Sequence, residues 1–310
     1  TGRRSVSHNV AMMDVNEENM CKVADEFCTP KGNEPRFYTD FGKMIADEDM
    51  DGVAMATPHN MHFPQATHAL ENELHVLLEK PMVTSTSDAE ALVKTVEESG
   101  KKLLIAFPGA SSREHRHIRD LRESGELGEI RNFTAKVAQK WAEGREDQWR
   151  QKPEISGGGQ LYDSGSHVIN ATLWLTDLRP VEVYADVNKR GFAVDVTTGV
   201  IIKFENGGIG VLTIIGDSTG PFEHAIEMYT DKCTIQVGVF GMFYDQWNGT
   251  EKVDSPGLPT DESTCWTNFV NSVLGKEEIL CGPKYGLRLA KLMDALYESG
   301  ETGVPVKITY

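Results

Sequence analysis

Two polar clusters in the sequence carry the residue types that acid–base chemistry needs. In the first, the apolar run 75–78 ends in Glu79, Lys80 and Pro81, and a proline that follows a strand can adopt the cis form. In the second, Asp163 and His167 are four residues apart, so they share one face if the segment is helical. A histidine oriented by a carboxylate is suited to proton transfer. Each cluster is also compatible with a simple ion pair.

Two further features lie upstream of His167. Three consecutive glycines at 157–159 predict that the backbone approaches another group closely. Trp149 and Arg150 place a planar cation beside an indole, which could serve a ring or phosphate ligand. A third and fourth metal ligand are not evident, so we predict no metal site.

Polar residues follow two more apolar runs. The segment 57–62, Thr-Pro-His-Asn-Met-His, follows one of them, and Pro58 suits a loop that lies flat against a ligand; His62 is then predicted to begin a helix. An ordinary strand-to-helix turn is the alternative. Asp14 ends another run, where a carboxylate can accept both hydroxyls of an adenosine ribose and repel a 2′-phosphate. The alternative for Asp14 is a carboxylate stabilised by the dipole of the following helix.

The elements before these residues alternate between strands and helices. Strands are predicted at 9–14, 51–57, 75–79 and 102–107, and helices at 16–27, 63–73 and 87–99. Short apolar strands that alternate with helices indicate a parallel sheet covered on both faces. Ligands of such sheets bind beyond the carboxyl ends of the strands, where the polar residues described above lie.

The pattern changes after residue 107, where we place a domain boundary between residues 1–107 and 108–310. Longer β-branched runs predict strands at 130–137, 180–188, 197–204, 208–215 and 304–308, with helices at 115–124, 163–175 and 285–299. Asn206-Gly207 predicts a hairpin, so this sheet should be largely antiparallel. The predicted fold class is therefore α/β, with a parallel sheet followed by an open, mostly antiparallel one.

Composition excludes several classes of partner. The 310 residues carry a net charge of −16 without a basic run, so nucleic acid would be repelled. No apolar segment is long enough to span a membrane. The five cysteines match no zinc pattern, and we expect reduced thiols in a cytoplasmic protein.

Taken in order, these motifs resemble the Gfo/Idh/MocA family, named for glucose–fructose oxidoreductase, inositol dehydrogenase and rhizopine catabolism. The matching segments are Asp14, 57–62, 75–82, 125–130, Trp149-Arg150, 157–167 and 299–303. The resemblance implies an NAD(P)-binding Rossmann domain followed by an α/β domain whose sheet forms homodimers or homotetramers. It also implies hydride transfer between a sugar- or polyol-type hydroxyl and NAD, with NADP as the other option; Asp14 favours NAD.

The resemblance assigns roles to individual residues. It implies that Lys80, Asp163 and His167 are catalytic, with Lys80 and His167 in acid–base roles: His167 accepts the hydroxyl proton and Lys80 stabilises the alkoxide. The residues expected at the cofactor are Asp14, Thr57, Pro58, His59, Asn60, His62, Glu79, Lys80, Pro81, Trp149 and Arg150. Two alternatives remain: an NAD-dependent glycoside-cleaving enzyme of the same family, or a non-catalytic sensor of dinucleotide or sugar.

The sequence departs from the family pattern at two places. No G-x-G-x-x-G loop occurs, and only thirteen residues precede Asp14, whereas the family's loop lies about 20 residues before such an acid. We therefore expect a Rossmann sheet without its first strand, impaired NAD binding, and a fragment of a longer chain. The segment 107–110, Phe-Pro-Gly-Ala, stands where many members carry Gln or Asn and later Arg, so the substrate contacts of this loop are expected to differ.

Overall fold

The computed structural model describes residues 8–144 and 146–309, and its first half contains two small parallel sheets. The strands are β1 Ala11–Met13, β2 Arg36–Tyr38, β3 Gly52–Met55, β4 His75–Glu79 and β5 Leu103–Ala106. The helices between them are α1 Glu17–Val23, α2 Phe41–Asp47, α3 His59–Glu71 and α4 Thr86–Ser99. One sheet pairs β1 with β2, and the other has the order β3-β4-β5. The parallel arrangement is confirmed.

The two sheets are separate, and strands β1 and β3 are less buried than the central strand β4. Within the described part of the chain, β1 and β3 each have a single neighbouring strand. Ala54 of β3 is exposed and β1 is only half-buried, whereas Val76 and Leu78 of the central strand β4 are fully buried. Within the described residues, the strands of this half therefore form two sheets rather than one continuous sheet.

Local sequence signals explain most helix ends in this half. Asn16 caps α1 by accepting a hydrogen bond from the Glu18 amide, and Gly100 ends α4 with φ of 65°. The predicted start of α3 was wrong: the helix begins at His59, directly after Pro58, whose φ of −58° suits a helix entry. Strand β2 and helix α2 were not predicted, because both are short and lack a continuous apolar run.

The second half is built on one nine-stranded sheet. Its strands are β6 Ile130–Ala138, β7 Pro180–Asn188, β8 Thr197–Phe204, β9 Ile209–Ile215, β10 Glu223–Thr230, β11 Thr234–Val237, β12 Tyr244–Asn248, β13 Glu251–Lys252 and β14 Val306–Lys307. Their order is β13-β12-β11-β10-β6-β9-β8-β7-β14, and only β6 and β9 run parallel. The predicted open, mostly antiparallel sheet is confirmed, with the hairpin at Asn206-Gly207 joining β8 to β9.

Helices α8 Ser164–Thr176 and α10 Pro283–Thr302 pack on the nine-stranded sheet. The other helices of this half are α5 Pro108–Ser111, α6 Arg113–Glu123, α7 Pro153–Ser156 and α9 Cys265–Val273, and α9 packs on β4 and β5 of the first half. Helix α8 lies across β6 and β9 and is buried along almost its whole length. Helix α10 packs against α8 and β7 and also against α4 of the first half, so one hydrophobic core runs through both halves. None of the described helices is both long and apolar enough to cross a membrane.

The glycine run makes its close approach to the protein itself. Side chains at Gly158 and Gly159 would collide with the Tyr297 hydroxyl and the Asp195 backbone. The buried Asp195 carboxylate accepts hydrogen bonds from the amides of Gly159 and Leu161, both at 2.7 Å, and from the Tyr297 hydroxyl at 2.6 Å. Asp195 therefore fixes the segment in front of α8 to helix α10.

We expect Asp195→Ala to lower the free energy of unfolding by about 3 kcal/mol, because it leaves three buried donors without their charged acceptor. Urea denaturation followed by circular dichroism measures the change. The exposed Asp254→Ala is the matched control and should shift stability by less than about 0.5 kcal/mol. Equal stability of the two variants would contradict the conclusion that Asp195 fixes the segment in front of α8 to helix α10.

Candidate active site

The two polar clusters predicted from the sequence meet in the structure. Lys80 follows β4, its peptide bond to Pro81 is cis, and its Nζ lies 2.6 Å from Oδ1 of Asp163. The same Nζ donates to the backbone oxygen of Asp163 at 3.0 Å. Both side chains are largely buried, with 12% and 13% of their surface exposed. Lys80 therefore pairs across the molecule rather than with its neighbour Glu79, whose carboxylate accepts the Lys80 amide.

Asp163 is surrounded by donors. Its Oδ2 accepts a hydrogen bond from Nε1 of Trp141 at 2.8 Å and lies 3.4 Å from Nε of Arg150. Burial acts against ionisation, but Lys80, Trp141 and Arg150 outweigh it and hold the pKa of Asp163 well below its usual range. Asp163 is the N-cap of α8, which begins at Ser164, one residue after the predicted start at 163. Trp141 follows β6 without a distinctive motif and was not predicted.

His167 lies one helical turn after Asp163, between two phenylalanine rings. Its ring centroid is 5.5 Å from that of Phe107 and 4.9 Å from that of Phe240. Burial lowers its pKa to about 3, the charge of Lys80 adds to the effect, and Asp163 opposes it. The imidazole is therefore neutral near pH 7, and it makes no hydrogen bond to the described residues.

His59 and the Trp149-Arg150 pair form the next layer. Nδ1 of His59 donates to the Ser156 carbonyl at 2.8 Å, and its ring contacts Trp149 edge-on at 4.8 Å. The Arg150 guanidinium lies 4.4 Å from the centre of the Trp149 ring. Burial lowers the pKa of His59 to about 4, and Lys80 also lowers it. Arg150 also lies close to Asp163. The structure therefore brings three predicted residues next to the Lys80–Asp163 pair: His59, Trp149 and Arg150.

His62 connects two of the predicted loops. Its Nδ1 lies 2.7 Å from the Pro81 carbonyl and its Nε2 lies 2.9 Å from the Thr57 carbonyl. The ring is fully buried and exposes no surface to a ligand. Burial lowers its pKa, although both carbonyls oppose this change. His62 therefore holds the end of β3 to the end of β4.

The other predicted cofactor residues lie at the carboxyl ends of the strands. The Thr57 hydroxyl donates to Gln65 at 2.7 Å; Pro58 is half-buried, and Asn60 and Glu79 are exposed. Asp14 follows β1 as predicted, and its Oδ1 accepts the Asn16 amide at 2.8 Å. The structure shows no contact of Asp14 with Lys80 or Asp163. Among the described side chains, no group of three could hold a metal ion.

Comparison with known proteins agrees with this architecture. A family model described as an oxidoreductase family with an NAD-binding Rossmann fold matches residues 2–107, and a GFO/IDH/MocA C-terminal domain model matches residues 115–236. D-glucoside 3-dehydrogenase of Escherichia coli (strain K12) is 24% identical over 83% of this chain and 79% of that protein. D-xylose 1-dehydrogenase (NADP(+)) 2 of Haloferax volcanii is 26% identical over 96% of this chain and 91% of that protein.

Another relative and one solved structure are also similar. A D-xylose 1-dehydrogenase [NADP(+)] of Haloarcula marismortui is 31% identical, but the match spans 48% of this chain and 42% of that protein. The WlbA dehydrogenase of Bordetella pertussis, solved with NADH and UDP-GlcNAcA, superposes with a TM-score of 0.84 at 24% identity, covering 97% of this chain and 91% of that one. At this identity the superposition establishes the fold.

The buried histidines predict that the protein is sensitive to acid. Burial lowers the pKa of His115 to about 4, against an ordinary value of 6.5, while its Nε2 contacts the Gly238 carbonyl at 2.8 Å. Since the unfolded state binds a proton first as the pH falls, stability is lost below pH 6.5. A histidine with this lowered pKa should reduce the free energy of unfolding by about 2 kcal/mol between pH 6.5 and pH 5.

The variant His115→Gln tests this prediction by urea denaturation at the two pH values. We expect it to be less stable than the parent at pH 6.5 but to lose less stability between pH 6.5 and pH 5. An identical pH dependence in both proteins would show that His115 does not contribute.

Proposed function

Because the chain belongs to the GFO/IDH/MocA family of oxidoreductases, we propose that it transfers a hydride between a sugar-type hydroxyl and NAD(P). The observation that carries the proposal is the buried Lys80–Asp163 pair beside the neutral imidazole of His167. The relatives that are named as D-glucoside and D-xylose dehydrogenases support a sugar-type substrate.

The residues at the strand ends fit a dinucleotide. Oδ2 of Asp14 makes no hydrogen bond to the described residues, so it is available to the hydroxyls of a ribose, which favours NAD over NADP. Pro58 and the exposed Asn60 lie at the start of α3, after the end of β3 and next to His59, whose ring contacts the Trp149 that carries the Arg150 guanidinium. When bound there, NAD(P) supplies the hydride acceptor.

In the proposed mechanism, His167 accepts the proton of the substrate hydroxyl, and Lys80 stabilises the negative charge that forms on the oxygen. Because the pKa of His167 is about 3, it accepts a proton readily only from an acidified hydroxyl. The Lys80 ammonium provides that acidification by stabilising negative charge on the substrate oxygen. Asp163 is a positioning residue: its carboxylate stays ionised, and the residue fixes the ammonium by accepting one hydrogen bond at Oδ1 and a second at its backbone carbonyl oxygen.

Replacing either catalytic group should abolish most turnover. We expect Lys80→Met and His167→Asn each to lower kcat/KM by at least about a hundredfold. The assay follows NADH absorbance with a panel of aldoses, glycosides and polyols. Lys94→Met, in an exposed position on α4, is the matched control for the lysine variant. Near-parental turnover in Lys80→Met or His167→Asn would refute the proposal, provided that thermal melting shows folded proteins.

The outer face of the nine-stranded sheet supports a homo-oligomer. Tyr184, Ile201 and Val211 are directly aligned across β7, β8 and β9, and all three are exposed. Thr134 of β6 continues the row opposite Val211. An exposed contiguous apolar row indicates an interaction surface, and in a two-fold dimer both subunits use the same patch. We propose that two copies associate through this face.

The double variant Ile201→Glu/Val211→Glu should convert the oligomer into monomers, because it places like charges against each other in a two-fold interface. Size-exclusion chromatography with light scattering measures the mass. Leu274→Glu, which changes an exposed apolar residue elsewhere, should leave the mass unchanged. A parent protein that is monomeric at micromolar concentration would contradict the interface.

A further inference from the structure

We propose that the substrate carries an apolar group, such as the aryl or alkyl aglycone of a glycoside, and that two loops beside His167 form its subsite. The loops are 216–222, between β9 and β10, and 238–243, between β11 and β12. This inference rests on the proposed sugar-hydroxyl chemistry and narrows its substrate class. We call Phe222, His224, Phe240 and Phe243 the aromatic wall.

The aromatic wall is continuous with the proposed catalytic site. The Phe240 ring contacts His167 at a centroid distance of 4.9 Å and contacts Phe222 at 6.0 Å. His224 lies between the loops, with ring centroids 5.1 Å from Phe222, 5.0 Å from Phe240 and 6.3 Å from Phe243. The ring contacts therefore lead from the imidazole to Phe240 and then outward to Phe222.

The outer part of the aromatic wall faces solvent. Phe222 is 52% exposed and Phe243 is 37% exposed, and Met242 beside it is 79% exposed. Exposed large apolar side chains are unremarkable when scattered, but a contiguous group marks an interaction site. Here the group begins at His167, so a substituent of a substrate held at His167 can extend along these side chains.

The loop 238–243 is held in a conformation that costs energy. Met242 has φ of 79°, in the left-handed region that non-glycine residues rarely adopt. Such backbone strain persists where the surroundings impose it, and it is concentrated at ligand sites. A strained residue that leaves its own side chain exposed indicates that this loop is shaped to present its apolar groups.

Several contacts fix the loop and so pre-organise the wall. Nε2 of His115 contacts the Gly238 carbonyl at 2.8 Å, and Nδ1 of His224 accepts the Val239 amide at 3.2 Å. A Cβ at Gly109 would lie 2.7 Å from the Val239 carbonyl, so the glycine of the unusual segment 107–110 is what admits the loop. A pre-ordered surface binds a ligand at a lower entropic cost.

The chemistry of the wall selects the occupant. Phe222, Phe240 and Phe243 offer no conventional hydrogen-bonding group; Nδ1 of His224 already accepts the Val239 amide, which leaves Nε2–H as the donor of that ring. Sugar hydroxyls placed against the three phenylalanine rings would lose their hydrogen bonds to water without replacement, whereas an aromatic ring or alkyl chain would gain apolar contact. The wall therefore fits a substituent attached to the sugar rather than the sugar itself.

Saturation-transfer NMR and calorimetric titration of the full chain test the subsite without requiring turnover. The probes are phenyl and methyl β-D-glucopyranoside and the corresponding β-D-xylopyranosides. We expect the phenyl glycosides to bind about tenfold more tightly than the methyl glycosides, with saturation transferred to the phenyl protons. In Phe222→Ala this preference should fall to about twofold or less.

Phe27→Ala is the matched control, since Phe27 is also 52% exposed but lies in the first half; it should keep the preference, and thermal melting confirms that both variants are folded. Equal affinity of the parent for phenyl and methyl glycosides, or binding of neither, overturns the inference. So does a Phe222→Ala variant that keeps the preference but loses an oligomeric state.

The two proposals can fail separately. A protein that reduces NAD with sugars but shows no preference for phenyl glycosides keeps the proposed function and loses the subsite. One that binds phenyl glycosides through Phe222 but never reduces NAD keeps the subsite and loses the oxidoreductase mechanism.

Discussion

The arrangement of the site depends on the ion pair between Lys80 and Asp163. Removing one partner of a largely buried pair leaves a charge that neither water nor protein compensates, which is far more costly than losing a surface ion pair. Trp141 and Arg150 contact the other oxygen of the Asp163 carboxylate, so both carboxylate oxygens have partners. The end of β4 and the start of α8 thereby become one unit, although 83 residues separate them in the chain.

The same burial that makes the ion pair costly to break also decides the state of the histidines around it. His59, His62 and His167 lie close to the positive charge of Lys80, which lowers the pKa of each in addition to desolvation. Only His167 is without a hydrogen-bonded partner among the described residues, while the other two contact backbone carbonyls. Three histidines in similar surroundings are thus divided between structural support and a group that can still accept a proton.

The sequence alone was sufficient where a local pattern reflects a physical requirement. Parallel strands follow from short apolar runs, and the strand-end rule singles out Lys80; its meeting with Asp163 was expected only from the family resemblance. The contacts of Asp195 and Phe240 could not be foreseen, because each depends on residues distant in the chain. Strands β10 and β12 were missed because polar residues interrupt their apolar ones, and β11 and β13 because they are only four and two residues long. The glycine run was recognised, but its partner was the protein rather than a ligand.

Helix α10 has a mechanical consequence for the molecule. It packs on α4 in the first half and on α8 and β7 in the second, and Gly286 admits Met82 close to its backbone. A hinge rotation of one half against the other would have to separate these surfaces together, at the expense of a core that runs through both. Opening and closing around a ligand should therefore be confined to the loops, so that the distance between Lys80 and His167 changes little during a catalytic cycle.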